Sequence, residues 1–240
     1  MEQIKSELSG MRLSGMAAAL QSLQESRKIH ELSFTDGLRI LLQAERDQRQ
    51  SNRYARLVKN ASFRYRASME EINFDASGGL DKNLILSLAN GSYIRDAGSI
   101  LITGATGCGK SFIASALGDR ACRQGYSVIY FGMQKLLSKL KIVRIEGVAV
   151  RFFEKLAKTD LLIIDDFGIG TMDRQQQLHF LEIIEDRHAR KSTIISSQLP
   201  PANWFDLFSD ETIADAFMDR MIHTSHRIEF KNRESLRKKK

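Results

Sequence analysis

The chain has 240 residues, 42% hydrophobic and 27% charged, which is the balance of a soluble globular protein with room for one large domain and a smaller module. No apolar run approaches the roughly 20 residues of a membrane span, and the opening Met1-Glu2-Gln3-Ile4-Lys5-Ser6-Glu7 lacks a signal-peptide core, so no membrane partner and a cytoplasmic location are expected. Two cysteines exclude a disulfide framework, and a net charge of +7 favours a polyanionic partner.

Residues 1 to 75 hold no strand-like run and no proline and read as a small all-helical N-terminal domain. Leu8, Met11, Leu13, Met16, Leu20 and Leu23 recur at helical spacing and predict one amphipathic helix. Ser33-Phe34-Thr35-Asp36 carries the cap residues of a second helix, whose apolar stripe is Leu38, Leu41 and Leu42. On that helix Arg46, Arg49, Arg53 and Arg56 fall at i, i+3, i+7 and i+10, which stacks four guanidinium groups on one face. Lys59, Arg64 and Arg66 continue the charge, and Asp47 is the one acid between Arg46 and Arg66. A face without i,i+4 acids repels itself unless an outside anion offsets it, so nucleic-acid contact is expected there. The polar, glycine-bearing stretch 69–80 marks the module boundary. Leu84, Ile85, Leu88, Ala89 and Ile94 then predict one helix.

From about residue 98 strands and helices alternate: strands at 99–103, 127–131, 160–165, 193–197 and 226–230, helices at 110–124, 133–141, 148–158, 173–191 and 211–222. This pattern predicts an α/β domain over 76–232 with a parallel five-stranded sheet covered on both faces. Residues 231–240 carry six basic residues and one acid, and 233–240 read as a disordered basic tail.

Gly104-Ala105-Thr106-Gly107-Cys108-Gly109-Lys110-Ser111 fits G-x-x-x-x-G-K-[ST], between the apolar run 99–103 and a helix that begins at Phe112. Strand, glycine loop and helix form a phosphate-binding loop: glycines turn backbone N–H groups inward, and the helix N-terminus adds positive dipole. Lys110 would reach the β- and γ-phosphates, and the Ser111 hydroxyl would ligate magnesium. Leu161-Leu162-Ile163-Ile164-Asp165-Asp166, about 55 residues on, supplies carboxylates at the end of a strand. Asp165 would hold Mg2+ through its water shell, and Asp166 would orient the attacking water as base. Gln198, closing the fourth strand, is the candidate that helps position that water. A transition-state arginine is also needed, and Arg220, Arg187 and Arg190 are the candidates.

The loop, Ala121-Cys122-Arg123-Gln124-Gly125-Tyr126-Ser127-Val128, and Asp160 through Gly168 together resemble the IstB-like ATPases, helper proteins of insertion sequences related to the helicase loader DnaC and the initiator DnaA. Leu13-Ser14-Gly15-Met16-Ala17, Asp219-Arg220-Met221-Ile222-His223 and His226-Arg227-Ile228-Glu229 fit as well. The resemblance implies an AAA+ fold behind the helical N-terminal domain, ATP and Mg2+ as cofactors, ATP-dependent self-assembly on double-stranded DNA, and partnership with a transposase. It implies that Arg220 is the inter-subunit arginine finger. It also implies that 133–158 is a helical insertion used for DNA, in which Lys135, Lys139, Lys141, Arg144 and Arg151 lie. The strand-four residue is often Asn in the family, where this chain has Gln198. No room for a C-terminal helical lid is expected after residue 230. A helicase loader is the alternative reading. A small-molecule kinase using the same loop is a third, without a visible lid or second-substrate signature.

Overall fold

A computed structural model describes residues 2–26, 32–74, 80–222 and 225–230. The tail from 231, the module boundary's 75–79 and His223 lie outside the described residues.

The chain divides into two units, 1–56 and 57–240. The first contains α1 (Glu2–Gly10), α2 (Ser14–Glu25) and most of α3 (Phe34–Ala61). The one helix expected over 8–23 is thus two. Arg12 takes φ 61°, while Arg12 N–H bonds Ser9 O and Leu13 N–H bonds Leu8 O, the paired bonds that end a helix in a left-handed residue. Helical spacing continues across such a turn, so periodicity alone does not reveal it. Glu45 of α3 is buried and its carboxylate accepts from Gly15 N–H at 2.8 Å and Met16 N–H at 3.3 Å, which caps the start of α2. The division falls inside α3, earlier than the polar stretch 69–80: the last turn of this 28-residue helix, with buried Ala61, belongs to the second unit.

The second unit continues with α4 (Lys82–Leu88), α5 (Ser92–Arg95), β1 (Ser99–Thr103), α6 (Lys110–Arg123), β2 (Val128–Gly132), α7 (Met133–Ile145), α8 (Ala149–Lys158), β3 (Leu161–Phe167), α9 (Arg174–Arg187), β4 (Ser192–Ser197), α10 (Glu211–Ile222) and β5 (Ser225–Glu229). The single helix expected over 84–94 is broken into α4 and α5 at Gly91, which sits at φ 75°. The helix expected over 173–191 is also shorter. Asp173 is its N-cap, in a reciprocal box with Gln176, and the chain leaves the helix after Arg187.

All strand pairings are parallel, in the order β2-β3-β4-β1-β5. Alternate strand residues face opposite sides, yet Ile100, Leu101, Ile102, Leu162, Ile163, Ile164, Ile194 and Ile195 are all buried, because helices cover both faces. On one face Phe167, Phe180, Trp204, Phe208 and Phe217 form an aromatic cluster with residues of α7, α8, α9 and α10. α6 lies against β3, with Gly118 so close to Phe63 and Ile163 that a Cβ would fall 2.5 Å from the Phe63 ring. β4 lies between β1 and β3, so the loop after β1 and the end of β3 flank one strand end.

Candidate nucleotide site

The site is built from β1 outward. Gly104, Gly107 and Gly109 adopt φ of 151°, 81° and 110°, and at Gly104 a Cβ would meet Phe230 Cβ at 2.7 Å. The loop therefore curls tightly before α6 starts at Lys110. Lys110 is buried, and its ammonium donates to Gly104 O at 2.7 Å and Ala105 O at 2.9 Å. Cys108 turns inward, and burial pushes its thiol up from the ordinary range.

β3 carries one extra residue relative to β4 between Ile164 and Phe167. Within that bulge Asp166 takes φ 60°, a strained conformation that Asp tolerates better than a longer side chain does. The bulge sends the two carboxylates to different surroundings. Asp165 is fully buried and collects hydroxyl donors from three elements: Ser111 of α6 at 3.0 Å, Ser196 of β4 and Tyr130 of β2. Burial and the bond to Asp165 both raise the Tyr130 phenol, which stays protonated as a donor. Asp166 is partly exposed, and its Oδ2 accepts from Arg64 at 2.7 Å. The same guanidinium reaches Asp165 Oδ2 at 3.4 Å. Across the site the Gln198 Oε1 accepts from Thr106 Oγ1 at 2.7 Å, joining the end of β4 to the loop.

Lys110, Ser111, Phe112, Asp166 and Gln198 share one cavity of about 570 Å³ with Arg64 and Tyr65. Cavities of that size suit a ligand of nucleotide dimensions. The structure thus brings the loop, Asp166 and Gln198 around one cavity, with Asp165 buried behind Ser111. Sequence reasoning misses Tyr130, the one hydroxyl of β2, and Ser196, one of four hydroxyl residues in β4, and it assigns Arg64 only to a basic run.

Arg220 does not line this cavity. It donates to Ala216 O at 2.7 Å and pairs with Glu185 of α9 at 2.7 Å. Of its rivals, Arg187 is withdrawn: it is 1% exposed and its guanidinium donates to Thr159 O at 2.8 Å, Thr193 Oγ1 at 3.1 Å, Leu156 O and Ser192 O. Such a group has no reach toward a neighbouring chain. Arg190 lines a separate cavity between α8 and α9, as does Arg144.

The four arginines of α3 are exposed, but their face is not without acids as expected: Arg49 pairs with Glu45 at 2.7 Å, an acid one residue before the interval read from sequence. That bond, foremost, holds the Glu45 carboxyl below its usual range. On α7, Lys135, Lys139, Lys141 and Arg144 are exposed, with Lys141 3.8 Å from Asp173.

A parallel five-stranded sheet with a strand inserted between the phosphate-loop strand and the acid-bearing strand defines a P-loop fold of the AAA+ class. The sequence narrows this further. Residues 6–240 match the IstB-like ATP binding protein family, and the chain belongs to it. It is 37% identical over 97% of its length to a protein of Sinorhizobium fredii named as an insertion sequence ATP-binding protein, y4pL, and covers 94% of that protein. It is 41% identical over 81% of its length to the protein named as the ATP-binding protein of insertion sequence IS1162 of Pseudomonas fluorescens, covering 85% of it. Among solved structures, AMPPCP-bound DnaA from Aquifex aeolicus superposes with a TM-score of 0.59 at 20% identity, over 70% of this chain and about half (51%) of that one. The DnaC helicase loader gives 0.52 at 17% identity, over 73% and 99%. These two likenesses are of fold.

Proposed function

We propose that this chain is an ATP-dependent regulator of DNA transposition that oligomerises on double-stranded DNA and recruits and stimulates a transposase. The observation that carries the reading is the convergence of Lys110, Ser111, Asp165, Asp166 and Gln198 on one strand end, in a chain whose relatives are named for insertion sequences. The helicase-loader alternative has only a likeness of fold in its favour.

Residues Gly104 to Phe112 cradle the triphosphate of ATP, and Lys110 turns from the loop carbonyls to its β- and γ-phosphates. Ser111 and Asp165 fit a magnesium ion: both present hard oxygens, 3.0 Å apart. Mg2+ commonly keeps several waters and takes only one or two ligands from the protein, so these two residues would suffice to hold it. When bound, that ion neutralises charge developing on the phosphates. Asp166 holds the attacking water as base, and Gln198, fixed by Thr106, orients it. Arg220 leaves Glu185 to complete a neighbouring subunit's site, which makes hydrolysis depend on assembly. Turnover is weak and promoted by DNA or oligomerisation. Arg46, Arg49, Arg53, Arg56, Lys135, Lys139, Lys141 and Arg144 grip DNA phosphates, so binding is steeply salt-dependent and little sequence-dependent.

Lys110→Ala tests the core of this reading. Nucleotide affinity should fall by at least about a hundredfold, and ATP should no longer enlarge the oligomer or strengthen binding to duplex DNA. Unchanged ATP-stimulated DNA binding and particle size, measured by fluorescence anisotropy and light scattering, would sink it. Pull-down against a transposase and a replicative helicase separates the two readings.

A further inference from the structure

Arg64 has a place that neither the basic run nor the loop mechanism accounts for. It lies in a short connection between the end of α3 and the helical turn Met69–Glu71, which Ser68 and Glu71 cap reciprocally. That connection is pinned on both sides of it. Phe63 packs its ring edge-on to Tyr130, 6.3 Å between centroids, and against Gly118 of α6, while Ala67 is buried. Between the pins Arg64 stays half-exposed, its guanidinium 5.5 Å from the Tyr65 ring. One nitrogen reaches Asp166 at 2.7 Å and Asp165 at 3.4 Å, residues more than a hundred positions away. The bond to Asp166, foremost, raises the basicity of the guanidinium further. Arg64 also lines the loop cavity and the adjoining one of about 690 Å³.

We propose that Arg64 is a built-in counter-ion of the acidic pair, competing with the divalent cation for Asp165 and Asp166, so that metal-dependent nucleotide binding must displace it. The inference rests on reading the site as one for ATP and a divalent ion. Its physical basis is that a guanidinium on Asp165 Oδ2 and Asp166 Oδ2 and a divalent cation beside Ser111 and Asp165 Oδ1 repel one another at such short range. Arg64 also occupies the Asp166 Oδ2 that would hold the attacking water. The pins at Phe63 and Ala67 let the side chain swing without moving the backbone, and its partial exposure gives it water to swing into. Lysine keeps the charge but carries it on a shorter stem and a more strongly hydrated head, so it would hold the acidic pair less well.

The test uses the full chain as wild type, Arg64→Gln and Arg64→Lys. Mn2+ is titrated by electron paramagnetic resonance, alone and with a non-hydrolysable ATP analogue, and a fluorescent ATP analogue is titrated in EDTA. Arg64→Gln should bind Mn2+ about three- to tenfold more tightly in both titrations, with affinity for the fluorescent analogue in EDTA unchanged. Arg64→Lys should fall between wild type and Gln. Unchanged or weaker Mn2+ binding by Arg64→Gln would overturn the proposal. So would a tenfold loss of analogue affinity in EDTA, which would make Arg64 a phosphate ligand. If wild type binds no nucleotide at all, the ATP reading fails, and the titration of Mn2+ alone still decides for or against the competition at Asp165 and Asp166.

Discussion

Arg187 is the cation that most shapes the second unit from inside. Its guanidinium bonds oxygens at the end of α8 and the start of β4, and burial pulls its pKa down to about 9. A sequence reader sees a basic residue late in a helix and places it at the surface, because nothing in the local pattern tells which turn of α9 faces the sheet. Replacing it removes a buried donor from three carbonyls, those of Leu156, Thr159 and Ser192. Arg187→Met keeps the volume and removes the donors, and should cost about 3 kcal/mol or more in a urea denaturation of the full chain. A loss below about 1 kcal/mol would mean that water replaces the guanidinium. Asp166 shows the converse. Its role is suggested by spacing alone, but its left-handed backbone and its partner Arg64 are not, since both depend on the β3 bulge.

Among the elements, α2 and α3 meet through Gly15. A Cβ there would lie 2.6 Å from Ala44 O and 2.7 Å from Glu45 Cα, both backbone atoms that cannot step aside cheaply. Gly15→Ala should therefore destabilise the first unit by about 1–3 kcal/mol, seen as earlier limited proteolysis within residues 1–56. Gly10→Ala is its control: nothing lies within 4 Å, and a helical Ala should be neutral or stabilising by about 0.5–1 kcal/mol. If both variants behave alike, the close approach of α2 to α3 is not what holds the unit. The helices of this unit were legible as apolar stripes. Their break at Arg12 was not, because a left-handed turn by a non-glycine residue is paid for by hydrogen bonds rather than announced by residue type.

At the scale of the whole molecule, the proposed site is shared between chains, and mixing experiments can address that. Asp166→Asn lacks the base but keeps Arg220, and Arg220→Ala lacks the finger but keeps the base. Each variant alone should hydrolyse ATP at least about tenfold more slowly than wild type. A one-to-one mixture should regain activity at interfaces where both parts are intact, about a quarter of them if subunits mix at random. A mixture as inactive as its components would place Arg220 outside the neighbouring site and leave its ion pair with Glu185 as its role.

Taken by itself, the sequence determined what is local or strictly periodic. Buried strands alternate with helices to give a parallel sheet, Gly104 to Ser111 forms a loop that only glycines can curl, and the two acids stand at a strand end. These follow from dihedral preference and from burial of both sheet faces, which residue type encodes directly. Only the tertiary structure decided what depends on register and long-range approach: the placement of β4 between β1 and β3, the hydroxyl cage of Asp165, the burial of Arg187, and the seat of Arg64 on the acidic pair. The contacts of Asp165 and Arg64 join residues tens to a hundred positions apart. A polar side chain carries no mark in sequence of the partner it will meet, because the meeting is set by packing of the apolar elements that carry both.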